Sequence, residues 1–158
     1  MSPERRKRIE VKLALPVVAP LLDVIRELAD SLKQNLAAST PLPDIEPEFR
    51  EAWQGELLTA QNDDVRTLLA LFNDEFFTEG VVAFDDDNAE AIVRACAAVR
   101  LRLREVYLKP LGDEALESGD VDLLALDDPL RKAFMCYLFL ATVQELIIQH
   151  LDESILES

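Results

Sequence analysis

His150 is the one histidine in a chain of 158 residues, and Cys96 and Cys136 are its two cysteines. That inventory removes most catalytic chemistry at once. A zinc site needs three or four His, Cys or carboxylate ligands at set spacings, and a Ser–His–Asp triad needs a histidine between two partners. His150 stands one turn from the end of an apolar helix, where an imidazole meets the carbonyl end of the helix dipole. Cys96 shares an apolar arc with Ile92, Val99 and Leu103, and Cys136 falls inside the uncharged run 133–143. Thiols so placed behave as small hydrophobes. No glycine-rich phosphate loop is present. The sequence assigns no catalytic residue and no cofactor.

Carboxylates are plentiful, so metals come next. A di-iron site in a helical bundle uses Glu-x-x-His pairs on facing helices, whereas Glu145 and His150 are five apart and no second histidine exists. The run Asp85-Asp86-Asp87-Asn88 lacks the central glycine and distal glutamate of an EF-hand loop and reads as a helix cap. Asp63-Asp64 leaves a carboxylate-bound pair of Mg²⁺ ions as a minor alternative. No metal site is assigned.

Two polar features are harder to dismiss. Gln144 falls in an apolar arc of the last helix, where an amide without partners costs about 1–3 kcal/mol. Arg94, Arg100, Arg102 and Arg104 load one helix with cations in an acidic chain, and Arg100 flanks that helix's apolar arc. Its stem can pack there while the guanidinium reaches an acceptor. Arg50, Arg100, Gln144 and Glu145 are therefore the candidate site. They form either an internal network that keeps helices in register or a pocket for an anionic ligand or a partner's acidic C-terminus.

The elements that position these residues can be read along the chain. Residues 9–15 alternate apolar and polar, a half-buried strand. Pro16 ends it, and a helix to about Ala38 either starts at Pro16 with a kink at Pro20 or starts at Pro20. The proline-rich stretch 39–47 is a linker. A long helix should run from Pro47 to about Asn73, bent near Asp63, with Phe49, Trp53, Leu57 and Ala60 as its first apolar stripe. Residues 81–84 form a second strand that pairs with 9–15. Asp87 and Glu90 have capping-box spacing for a helix to Leu108. Residues 109–126 read as loop with at most one short helical turn. Asp128-Pro129 opens a helix to about Leu151 that is apolar nearly all round, the mark of a buried bundle centre. The fold class is mainly α: four principal helices around the C-terminal one, with a two-stranded ladder at an edge. The chain reads as one domain, 1–158, with a basic start at 1–8 and a tail at 152–158.

Composition agrees. The chain is 49% hydrophobic with 31 acidic and 16 basic residues, a net charge of −15. Five basic residues against two acidic ones in 1–12 leave −18 on the rest, which repels phosphate backbones and argues against nucleic acid. The longest uncharged apolar run is about half a bilayer span, so no membrane partner is expected. No secretory leader is read at the start. Two cysteines without a disulfide framework fit a reducing cytoplasm.

Glu48-Phe49-Arg50, Leu57, Asn62 and Arg66, then Val81-Val82-Ala83-Phe84-Asp85, Val99-Arg100-Leu101, Tyr137 to Leu140, and Val143-Gln144-Glu145-Leu146 resemble, in order and spacing, a bacterial family. It is the domain-of-unknown-function family twenty-seventeen. The likeness covers nearly the whole chain and departs at the short linker 39–47 and at 109–128. Genes of that family often adjoin the gene for the Clp protease adaptor. The resemblance thus implies a regulatory or adaptor role in proteolysis, carries over no catalytic residue, and adds weight to the four candidate residues. The expected function is a cytoplasmic, non-enzymatic protein-interaction domain whose acidic faces favour basic partners. The alternatives are a small-molecule or divalent-metal-binding domain or enzyme using carboxylates and, more faintly, a DNA mimic. Self-association is left open.

Overall fold

The structure is a computed structural model, and it describes residues 8–33, 47–118 and 120–150. Four principal helices build the body: α1 (Leu15–Leu32), α2 (Pro47–Leu69), α4 (Ala89–Val106) and α6 (Asp128–His150), with the short α3 (Asp74–Glu79) and α5 (Gly112–Ser118). Strands β1 (Arg8–Lys12) and β2 (Val81–Asp85) form an antiparallel ladder in which Val11 faces Val82 and Ile9 faces Phe84. The mainly helical class and the pairing of these two strands are as expected. The basic start, the linker and the tail lie outside the described residues apart from Arg8 and Pro47, as does any continuation of α1 to Ala38.

Helix α1 begins before both prolines. The carbonyl oxygen of Ala14 accepts from Val17 and Val18 N–H at 2.9 and 3.0 Å, so Leu15 and Pro16 occupy the first turn, where a proline loses nothing. The strand is correspondingly shorter than 9–15. Pro20 lies inside the helix, not at its start. Both prolines are exposed, so the carbonyl deprived of a donor lies on the water side.

The expected continuous helix to Asn73 stops at Leu69. Asn73 then caps α3, its side-chain oxygen accepting from Phe76 N–H at 3.2 Å, and Gly80 ends α3 in the left-handed region at φ 73°. That turn delivers β2 to β1, and Leu13 N–H donates to the Gly80 carbonyl at 2.7 Å. The cap of α4 also differs from the expected Asp87–Glu90 box. Asp85 accepts from the N–H groups of Asp87 and Asn88, while Asn88 Oδ1 accepts from Asp85 N–H at 2.9 Å. At α6 the capping carboxylate is Asp127, one residue early, accepting from Leu130 N–H at 2.9 Å. Residues 109–126 hold more helix than expected: a 3₁₀ turn at Lys109–Leu111, α5, and a second 3₁₀ turn at Leu123–Ala125. Arg131 fixes the latter by donating to the carbonyls of Leu123 and Leu126.

The buried side chains make one contiguous core. Ile92, Cys96, Val99 and Leu103 of α4 are all fully buried. Helix α4 packs against α2 on one side and α6 on the other, and α1 closes against both α4 and α6. Helix α6 is long and apolar enough to cross a membrane by length and composition, but Phe134, Tyr137, Leu140, Val143 and Ile147 are buried in this core. Its apolarity is spent on packing. Ile148 and Leu138 of the same helix remain partly exposed, so it is not enclosed on every side.

Candidate functional site

Arg100 stands at the edge of the apolar arc of α4, so its stem enters the α4–α6 seam. There its Nη1 donates to Gln144 Oε1 at 2.7 Å, and Gln144 Nε2 donates to the carbonyl of Val93 at 3.0 Å. The guanidinium carbon lies 4.4 Å from the centroid of the Tyr137 ring. Both ends of the amide are thus used, which answers the cost of placing Gln144 in an apolar seam. Arg100 Nε is buried with no hydrogen-bond partner. The guanidinium has no ion-pair partner among the described residues, so a ring face and an amide oxygen carry the compensation.

The structure brings together Arg100 and Gln144 and leaves the other two candidates apart. Glu145 lies about 100° round α6 from Gln144, is exposed, and accepts from Gln149 Nε2 at 3.3 Å. Arg50 is exposed in the first turn of α2 and makes no hydrogen bond or ion pair among the described residues. Of the remaining arginines, Arg102 donates to Ser31 Oγ at 2.9 Å, and Arg104 is paired with Asp113.

The thiols are held unreactive. Burial pushes the Cys96 thiol up to about 12, with the nearby Arg100 charge opposing, and burial pushes Cys136 to about 12 as well. Neither offers a thiolate near neutral pH. The acidic pair Asp63-Asp64 is likewise engaged. Asp64 receives Arg94 through two bonds of 2.9 and 3.0 Å, which holds the Arg94 guanidinium above its ordinary value, and Asp63 receives Arg66 at 3.2 Å. Among the described residues no three His, Cys, Asp or Glu side chains stand close enough to hold a metal ion.

Among the described residues, open clefts lie on two sides of α2. One, about 540 Å³, lies between α1 and α2 on a floor of Ala29, Val65 and Leu69, with Arg26, Lys33 and Arg66 at its rim. Gln61 and Asn62 hold its walls together by donating to the carbonyls of Leu32 and Lys33 at 2.9 and 3.1 Å. The other, about 450 Å³, runs from Arg66 and Thr67 across to β2 and Asn88.

The feature missed by sequence reasoning is the first half of α2. From Glu48 to Ala60 no residue is buried, while Val65 and Leu68 are. These thirteen residues span about 20 Å of helix at 1.5 Å per residue, and of them only Leu57 and Leu58 are partly covered. Phe49 is 65% exposed and Trp53 47%. The stripe expected to face the core points elsewhere: at 100° per residue, Phe49, Trp53, Leu57 and Ala60 cluster roughly 100° round the axis from Val65 and Leu68. At Asn62–Asp64 the apolar stripe changes face.

A family model described as a domain of unknown function (DUF2017) matches residues 3–151. No curated protein and no solved structure matches the chain.

Proposed function

We propose a protein-docking role for this chain, which belongs to the DUF2017 family over residues 3–151. The observation that carries it is the exposed aromatic ridge of Phe49 and Trp53 on the half of α2 that leaves the bundle. Two large aromatic side chains on one helical face, with no buried neighbour along thirteen residues, are costly to keep in water and mark an interaction surface. The Arg100–Gln144 pair then serves the scaffold, fixing α4 against α6. The two buried cysteines, both free, favour a reducing compartment such as a bacterial cytoplasm. A regulatory place in Clp-type proteolysis is the role implied by the family resemblance, and it makes a Clp adaptor or chaperone subunit the first partner to look for.

The test compares the wild-type chain with Phe49→Ser/Trp53→Ser in quantitative crosslinking capture from a native lysate. Leu124→Ser, which removes an exposed leucine elsewhere, is the control. The expected result is a partner crosslinked to residues 48–60, lost from the double variant, kept by the control, with melting unchanged in both. Equal capture by all three chains, or recovery of the bait alone, defeats the proposal.

A second reading has its own observation. The α1–α2 cleft sets Arg26 over an apolar floor, with Lys33 paired to Asp30 and Arg66 to Asp63 at its rim. That arrangement suits a small carboxylate on an apolar chain. Decanoate should then raise the melting temperature more than acetate, and Arg26→Glu should remove the difference. Identical shifts with both anions count against it.

A further inference from the structure

We infer that the outer edge of β2 receives a short extended peptide as a third strand. An antiparallel ladder alternates between residue pairs that exchange backbone hydrogen bonds and pairs that do not. The 2.7 Å bond from Leu13 N–H to the Gly80 carbonyl sets that alternation. With the observed register, the exchanging pairs are Val11 with Val82 and Ile9 with Phe84. The peptide groups of Val81, Ala83 and Asp85 therefore point away from β1, to an edge with no strand beside it among the described residues. Asn88 shows what this edge accepts. Its side-chain amide donates to the Ala83 carbonyl at 3.3 Å and accepts from Asp85 N–H at 2.9 Å. One amide thus joins a carbonyl to the N–H two residues on, which is how a residue of a parallel neighbouring strand bonds.

The same pair one step back, the Val81 carbonyl and Ala83 N–H, has no hydrogen-bond partner among the described residues. An antiparallel segment would need both groups of Ala83, one of which already holds Asn88, so the vacant pair selects a parallel one. Space is present at the same place. The cleft of about 450 Å³ lies along this edge, between Val81, Ala83 and Asn88 on one side and Thr67 and Ala70 at the end of α2 on the other. An added strand lies about 4.8 Å from its neighbour, which puts it in this cleft. Ala70 and Val82 line it with apolar groups, which suits β-branched side chains on the peptide. A helix cannot serve, because its own backbone groups are already bonded within it. The site shares no residue with the Phe49–Trp53 ridge, and either can fail without the other.

Affinity in strand addition comes from main-chain bonds, so a generic peptide is a fair probe. A capped hexapeptide of alternating valine and threonine is added to the full chain while amide hydrogen exchange is followed residue by residue. In the free chain Ala83 N–H should exchange faster than the N–H groups of Val82 and Phe84, which the ladder holds. With peptide, Ala83 should slow roughly tenfold while Val82 and Phe84 change little. The same peptide with every amide N-methylated should have no effect. Ala70→Arg, an exposed substitution that fills the cleft, should abolish the slowing with melting unchanged. Thr67→Arg provides a second block if Ala70→Arg melts early, and Phe49→Ser should leave the slowing intact. An Ala83 amide as protected as Phe84 in the free chain means a closed edge and overturns the proposal. So does exchange that the peptide leaves unchanged, or slowing that survives both blocking variants.

Discussion

Arg100 on α4 and Gln144 on α6, 44 residues apart in sequence, are joined by a 2.7 Å hydrogen bond with the Tyr137 ring beneath the guanidinium. The bond ties α4 to α6 across an apolar seam through polar groups that each need a particular partner. Leucines in a seam tolerate sliding, whereas an arginine that must find one amide does not.

Replacing Arg100 with alanine should therefore cost about 1–3 kcal/mol, because it strips Gln144 Oε1 of its donor and uncovers the Tyr137 ring. The melting temperature should fall by several degrees. A double-mutant cycle with Gln144→Ala should give a coupling near 1 kcal/mol. Purely additive losses would mean the two side chains act separately.

Alkaline pH should weaken the fold earlier than the acidic composition suggests. Both thiols stay protonated in the folded chain up to about 12, whereas unfolded thiols ionise near 9.0. Above pH 9 the unfolded state has therefore lost protons that the native state keeps, so stability falls as pH rises from 9 towards 12. Each thiol contributes up to roughly 1 kcal/mol per pH unit in that window. Tyr107 adds to the same trend, since its hydrogen bond to Glu27 raises it too. Urea midpoints between pH 8 and 11 should show the decline, and Cys96→Ala/Cys136→Ala should flatten it. A wild-type profile level across the range contradicts this account.

Two glycine substitutions should move in opposite directions. A Cβ at Gly55 meets nothing within 4 Å, and the residue is mid-helix, so Gly55→Ala should add about 0.5–1 kcal/mol. At Gly80 the φ of 73° and a Cβ only 2.8 Å from the Leu13 carbonyl oxygen combine strain with collision. Gly80→Ala should cost upwards of about 1 kcal/mol and disturb the β1–β2 ladder. Thermal melts of both variants decide the signs.

The Asp64–Arg94 pair should outweigh its neighbour Glu90–Arg94. Asp64 is mostly covered and bonds the guanidinium twice across α2 and α4, whereas Glu90 is half exposed on the same helix as Arg94. Asp64→Asn should cost about 1 kcal/mol and Glu90→Gln less than about 0.5. Equal urea midpoints for the two variants would refute the ranking.

What could be read from the sequence follows from where periodicity has a partner. The arc Ile92, Cys96, Val99 and Leu103 repeats at helical spacing and is fully buried, because α4 is flanked along its length. Alternation in residues 9–12 found its ladder in β2 for the same reason. The Phe49–Trp53 stripe has the same kind of pattern, but the bundle does not reach that far, and periodicity carries no information about where neighbours stop. Asn73 was a readable cap, followed at once by Asp74 and Glu75, but the continuing run of apolar residues masked it. Gln144 and Arg100 were legible as polar residues on apolar arcs. Glu145 offers Arg100 a carboxylate in the sequence, but on a helix the residue next to Gln144 lies on a different face.

The arrangement of α1 bears on how the chain is made. Its buried residues pack on α4 and on α6, and Cys136 of α6 comes within 4.0 Å of the Leu21 carbonyl. During synthesis α1 leaves the ribosome more than a hundred residues before α6 is complete, an interval on the order of ten seconds. Early in it β1 waits for β2, and until α6 emerges the buried face of α1, with Leu22, Ile25 and Leu32, lacks part of its cover. A premature stop anywhere before α6 therefore leaves an apolar face without its covering helix.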